Sequence, residues 1–176
     1  MLRNHPRIAV VGTSSSGKSM FARRAAECLG SPHVELDALY WGPAWKPRPE
    51  FAELVADAVR GDRWIADGNY RAVQPLVWQR ATAIVWLDYP FPVVLRRALS
   101  RTVRRLVSGE VLYSGNRESF RGAFLEADGI PWWVIRTHRS LRRRYEKLVR
   151  EPAYADTAVF RLRTDNEADA LLGRQP

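Results

Sequence analysis

The chain has 176 residues, 46% of them hydrophobic, which predicts one globular domain over residues 1–176 with a core large enough to be stable alone. A single cysteine, Cys28, excludes an internal disulfide, no Cys/His cluster has zinc-site spacing, and no run reaches the roughly 18 apolar residues that a membrane span needs, so a soluble, unexported chain in a reducing cytoplasm is expected. The net charge is +9, carried by 25 arginines against three lysines; the planar arginine fork suits nucleotides, polyphosphates or nucleic acid, and the competing explanation is a coding preference that leaves most guanidiniums solvated.

Ile8-Ala9-Val10-Val11 is wholly apolar between Pro6 and Gly12 and predicts a strand buried on both faces of a parallel sheet. From Gly17 to Leu29, the residues Met20, Phe21, Ala25, Cys28 and Leu29 recur at helical spacing until Gly30-Ser31-Pro32 stops the helix. A short strand at His33-Val34-Glu35-Leu36 ends in Asp37, followed by a Pro- and Trp-rich loop over 39–49 and a helix over 50–60. Trp64-Ile65-Ala66-Asp67 and Ala83-Ile84-Val85-Trp86-Leu87-Asp88 are two further apolar strands, each closing on an aspartate. Residues 90–107 read as a helix. The polar, glycine-interrupted stretch 108–129 is too long for an ordinary connector and reads as a lid. A basic helix over 132–150, a strand over 158–163 and a helix over 166–172 complete the chain. Strands alternating with helices predict a parallel α/β sandwich.

The run Gly12-Thr13-Ser14-Ser15-Ser16-Gly17-Lys18-Ser19 matches the phosphate-loop pattern without deviation. In that pattern the glycines let backbone N–H groups curl toward phosphates, the following helix adds its positive end, the lysine reaches the terminal phosphates and the serine hydroxyl binds Mg²⁺. ATP and Mg²⁺ are therefore the expected cofactors. Asp67 is the favoured second Mg²⁺ contact, because Gly68 behind it leaves room for a ligand; Asp88 competes for the role. For Asp37 two readings stand together, a carboxylate that orients an acceptor hydroxyl and a helix or turn cap. Trp41 and Trp45 either stack on a flat acceptor or plug the core. His5, His33 and His138 lack metal spacing and read as surface or hydrogen-bonded residues.

These residues carry a family resemblance. Asp67-Gly68-Asn69-Tyr70-Arg71 resembles the Asp-Gly-Phe-Pro-Arg segment of adenylate kinases, and Leu87-Asp88-Tyr89-Pro90 with Arg97 and Arg101 resembles their next strand and its arginine pair. Glu35-Leu36-Asp37-Ala38-Leu39-Tyr40-Trp41, Asp67-Gly68-Asn69-Tyr70 and Gly115-Asn116-Arg117-Glu118 are similar to signatures of the topology modulation, or FlaR-like, subgroup of adenylate-kinase-like P-loop proteins. The resemblance implies a three-layer P-loop NTPase sandwich whose five-stranded parallel sheet runs 2-3-1-4-5. It implies that Arg71 grips an acceptor phosphate, Arg97 lies against the ATP base and Arg101 contacts transferred phosphate. Leu36-Asp37-Ala38-Leu39 replaces the Thr-Gly-Asp-Met-type segment that encloses AMP in true adenylate kinases, which argues against AMP as acceptor.

The function expected is Mg²⁺-ATP-dependent phosphoryl transfer to a nucleotide or small hydroxylated molecule. Lys18, Asp37, Arg101, Arg136 and Arg139 form the expected catalytic set, and Asp37, Trp41, Asn69, Tyr70 and Arg71 the acceptor site. Arg136, Arg139, Arg142, Arg143 and Arg144 recur on the basic helix, where a solvated face competes with phosphate contact. The alternatives are a plain ATPase and a nucleotide-dependent regulator. With no recognisable nucleic-acid motif, any DNA binding is expected to be weak, nonspecific and salt-sensitive.

Overall fold

The computed structural model describes residues 2–117, 119–120 and 129–173. Five strands, β1 (Arg7–Gly12), β2 (His33–Glu35), β3 (Trp64–Asp67), β4 (Ala83–Leu87) and β5 (Ala158–Leu162), form a sheet in the order β2-β3-β1-β4-β5. Every neighbouring pair is parallel. Apart from Arg7 at the start of β1 and Asp67 at the end of β3, the inner strands are apolar on both faces because helices cover both sides. Alternation along β1 divides the core. Ile8 and Val10 pack under helices α1 (Lys18–Leu29) and α5 (Phe91–Ser108), whereas Ala9 and Val11 pack against α3 (Phe51–Ala58) and α4 (Gln74–Trp78). Helix α6 (Ile130–Leu148) serves both layers, sending Val134 to the first and Tyr145 to the second. Helix α7 (Asp165–Leu171) closes the first layer with Ala168.

The register sets the site. Val10 lies beside Asp67 and Gly12 beside Leu87, so the loop leaving β1 emerges between the carboxyl ends of β3 and β4. This is the crevice where open α/β sheets bind ligands.

Three sequence expectations change. Strand β2 stops at Glu35, and Leu36 begins a one-turn helix, α2 (Leu36–Tyr40), that places Asp37 in its first turn instead of at a strand end. The aromatic stretch after it is not a plain loop. Trp41 and Pro47 form an antiparallel bridge, Gly42 N donates to Lys46 O at 2.8 Å, and Pro43–Trp45 makes a 3-10 turn with Ala44 and Trp45 at φ 55°. The expected lid begins with the same device. Val111 bridges Arg117, Leu112 N donates to Asn116 O at 2.7 Å, and Tyr113–Gly115 turns through φ 55° at Ser114 and 80° at Gly115. The rest of the lid expectation, Glu118 and residues 121–128, falls outside the described residues.

Candidate functional site

The loop between β1 and α1 reverses on unusual backbone. Gly12 sits at φ 149°, and a Cβ there would lie 2.5 Å from the Leu87 carbonyl oxygen and 2.8 Å from Ser16 Oγ, so only glycine fits. Ser15, held at φ 64°, is a non-glycine residue in the left-handed region, the kind of strain that clusters at ligand sites. The hydroxyls Ser15 Oγ and Ser16 Oγ are buried without a hydrogen-bond partner, a state that costs about 1–3 kcal/mol per group until something fills it. Thr13 is buried and Ser14 half-buried on the same loop, and Lys18 Nζ curls back to donate to the Thr13 carbonyl at 3.1 Å.

Around Lys18 the electrostatics converge. Burial lowers its ammonium below the ordinary lysine value, Asp37 and Asp67 pull it back up, and the Arg101 guanidinium adds to the lowering. Residues from α2, β3 and α5 thus act on one nitrogen. Ser19, the next residue of α1, donates its hydroxyl to Asp67 Oδ2 at 2.6 Å. The Asp67 carboxylate is almost wholly buried, and its other oxygen meets His33 Nε2 at 2.7 Å. The rival aspartate is committed elsewhere. Asp88 is enclosed by Arg161 at 2.6 Å, Arg142 at 3.3 Å and Arg163 at 3.6 Å.

Beyond Asp67 the chain turns through Gly68 at φ 150°, and a Cβ there would meet Leu36 Cβ at 2.7 Å. The space expected behind Asp67 is therefore filled by Leu36 and is not open to a ligand. Asn69, expected to touch an acceptor, is used by the scaffold. Its Nδ2 donates to Gly12 O at 2.5 Å and its Oδ1 accepts from Tyr145 OH at 2.8 Å, which ties the phosphate loop to α6.

Tyr70 and Asp37 do meet, with the phenol donating to Asp37 Oδ1 at 2.7 Å. Burial and the Asp37 carboxylate push that phenol far above the ordinary tyrosine value. The N-cap position of α2 falls to Glu35, which makes no side-chain cap bond, and Asp37 lies in the first turn beyond it. Tyr113, from the second turn, donates to Glu35; burial, Glu35, Asp37 and Asp67 together raise its phenol well above normal, which places the turn over the same carboxylates. Trp41 is half-buried, edge-on to Tyr40 at 4.7 Å and to Trp45 at 5.5 Å, while Tyr40 contacts Phe51 and Tyr70. These rings make an apolar wall beside Asp37.

The two turns grip each other. Asn116, buried, donates Nδ2 to Gly42 O at 2.9 Å and accepts from Trp45 N at 3.2 Å. Ser114 Oγ donates to Trp41 O at 2.7 Å and accepts from Arg48 at 3.2 Å. Nothing in the sequence pairs these segments, because the matching part is backbone curvature and the two sequences differ.

On the opposite side of the phosphate loop, Arg97 forks onto Asp165 at 2.7 and 2.8 Å, donates to Ser16 O at 3.3 Å and lies over the Tyr89 ring at 4.5 Å. Burial and the Asp165 carboxylate push the Tyr89 phenol up to about 12. Arg71 is exposed, close enough to act on Arg144 and Tyr145. Helix α6 deploys its arginines in several directions: Arg136 and Arg139 are exposed, Arg142 pairs with Asp88, and Arg144 donates to Gln74. Among the described residues no group of three or more His, Cys, Asp or Glu could hold a metal, and no helix is long and apolar enough to cross a membrane.

No family model and no curated protein matches the chain by sequence. Solved structures match its fold. A shikimate kinase from Acinetobacter baumannii in complex with shikimate is 19% identical, with a TM-score of 0.56 over 98% of this chain and 91% of the other. A gluconokinase from Sinorhizobium meliloti, 19% identical, gives 0.53 over 95% and 91%, and a sugar kinase from Janibacter sp., 16% identical, gives 0.51 over 95% and 90%. At such identities the likeness carries the fold, and the chain has the α/β fold of P-loop kinases with the sheet order expected from its sequence.

Proposed function

We propose that this chain is a Mg²⁺-ATP-dependent phosphotransferase of the adenylate-kinase-like P-loop group, which passes the γ-phosphoryl of ATP to a hydroxyl of a small acceptor. The observation that carries the reading is the placement of Asp37. It acts on the Lys18 ammonium from outside the phosphate loop, beside an aromatic wall; a carboxylate there serves water or a hydroxyl alike, but the wall gives a small acceptor a surface to pack on that water does not need.

The residues fit the groups the reaction needs. Two buried, unpartnered hydroxyls and a loop too tight for a Cβ suit a cluster of phosphate oxygens. Ser19 and Asp67 offer the hard oxygen donors from which Mg²⁺ is held when phosphates and water complete its shell. Bound there, the metal neutralises phosphate charge and helps align the transfer. Gly12 through Ser19 hold the phosphates, Lys18 and Arg101 stabilise charge on the migrating group, and Arg97 with Tyr89 flanks the base. Asp37 accepts the acceptor's hydroxyl proton while the acceptor oxygen bonds to the γ-phosphorus and the bond to the bridging oxygen breaks, releasing ADP. Trp41, Tyr70 and Arg71 line the acceptor's approach, and Arg136 and Arg139 are reserved for a closed lid. The subgroup resemblance adds no acceptor identity.

The test is Asp37→Asn. Transfer should fall by about 10²–10⁴-fold while Mg²⁺-ATP binding by calorimetry stays unchanged. Undiminished transfer to an identified acceptor overturns the reading.

A further inference from the structure

The sequence reads His33 only as a surface or hydrogen-bonded residue, and its side chain reaches the buried carboxylate at the centre of the site. His33 is paired in register with Ile65, and the β2–β3 ladder continues through Val34–Ala66 and Glu35–Asp67. The imidazole is not needed to join the strands. It extends two residues forward to Asp67 Oδ1 at 2.7 Å, while Ser19 occupies Oδ2 at 2.6 Å. One carboxylate, almost fully buried, is thus met on both oxygens by side chains from α1 and β2; an ionised carboxylate can only accept, so the His33 tautomer that pairs with it is the one with its proton on Nε2.

A carboxylate's terminal torsion is soft, and a single hydrogen bond leaves its plane free to swing. Two donors on opposite oxygens fix both its position and its rotation. Water-mediated Mg²⁺ contact demands near-octahedral directions, so a carboxylate that wanders by a fraction of an ångström binds more weakly. Groups hydrogen-bonded to a metal-facing side chain commonly change metal affinity by about 10–100-fold when lost.

We propose that His33 is a positioning residue, which orients Asp67 so that this carboxylate and the Ser19 hydroxyl present one preformed face to the Mg²⁺ that accompanies the nucleotide. The inference rests on the phosphotransferase reading for the identity of the metal and the nucleotide, and its test is read without turnover.

The measurement is Mg²⁺ affinity of the full chain saturated with ADP, by calorimetry, with Mn²⁺ paramagnetic resonance as a second probe. His33→Leu removes the donor and should weaken metal binding about tenfold or more, leaving ADP affinity in chelator unchanged. His33→Gln keeps a donor of similar reach and should restore most of the loss. In Asp67→Asn the further change His33→Leu should have no added effect, because the two act through one carboxylate. A purely structural role predicts a lower melting temperature with metal affinity intact, and that result overturns the proposal, as does Gln behaving like Leu. Wild-type protein that binds ADP and Mg²⁺ but phosphorylates nothing defeats the phosphotransferase reading and leaves this one standing; equal Mg²⁺ affinity in wild type and His33→Leu does the reverse.

Discussion

The two halves of the site are built by different means. On the proposed nucleotide side the parts are local: eight consecutive residues, the strand before them and the helix after them make a tight loop from their own backbone. On the proposed acceptor side they come from places far apart. Asp37 is placed by a one-turn helix, Tyr70 arrives from the end of β3, and the turn at residues 111–117 is docked on the turn at 41–47 by Asn116 and Ser114. A local device is specified by a short motif. A device assembled from residues 37 to 117 depends on curvature and side-chain bonds that no contiguous pattern encodes. The first half should therefore fail by losing chemistry with the fold intact, and the second by losing order as well.

On the phosphate-loop side the largest effect should come from Lys18→Ala. Removing a cation aimed at developing phosphate charge costs about 10²–10³-fold in transfer. Its carbonyl partner Thr13 lies within the loop itself, so unfolding midpoints should stay within measurement error. A large drop in stability would break the contrast, since it would mean that the loop is also structural.

Gly68→Ala attacks the junction of the halves. Its φ of 150° and the 2.7 Å approach to Leu36 Cβ combine backbone strain with overpacking, a cost of about 1–3 kcal/mol. The double variant Gly68→Ala with Leu36→Gly should be less destabilised than the sum of the singles, because only removing the Leu36 Cβ relieves the clash. Additive losses would show that the strain lies in the backbone alone.

Asn116→Ala should cost about 1–3 kcal/mol by leaving Gly42 O and Trp45 N without their partner, and it should raise the acceptor KM more than that for ATP. Equal effects on both substrates would remove the distinction between the halves.

The legibility of the molecule follows the same division. Strand β3 ends at Asp67 as read and β4 one residue before Asp88, and the sheet order is the one that the adenylate-kinase resemblance implies. The phosphate-loop motif is contiguous, and Asp67, expected from its strand end to share a Mg²⁺ with Ser19, lies within hydrogen-bond reach of that hydroxyl. What escaped was side-chain traffic across elements. Asn69 reads as an acceptor contact but is taken by Gly12 and Tyr145. Asp88 has the same strand-end signature as Asp67, and only three arginines from α6, β5 and the residue after β5 show that it is occupied. His33 carried no spacing signal, because its partner lies on a neighbouring strand.

The smallest effect belongs to the base side, where Arg97, Asp165 and Tyr89 form an ion pair capped by a phenol. Burial alone would raise the Asp165 carboxyl, but hydrogen bonds from Arg97 and Tyr89 outweigh it and hold the group below the usual carboxylate range. A carboxyl depressed in the folded state contributes stability that is present above its unfolded value, about 3.9, and is lost as pH falls through the lower folded value. Tyr89 has the opposite sign. Raised to about 12, it contributes stability below its unfolded value of about 10 and loses it as pH climbs through the folded one. Between those limits the cluster should hardly titrate, and because 66% of the Asp165 side chain is exposed, solvent screening keeps the contribution small. The check is chemical denaturation of wild type and Asp165→Asn across pH. The difference should stay flat from about pH 5 to 9 and shrink below about 4 as the wild-type carboxyl becomes protonated and the two chains become alike. A difference that grows on acidification would reverse the sign and show that Asp165 is held in its neutral form, leaving Arg97 free to meet the nucleotide without first giving up a carboxylate.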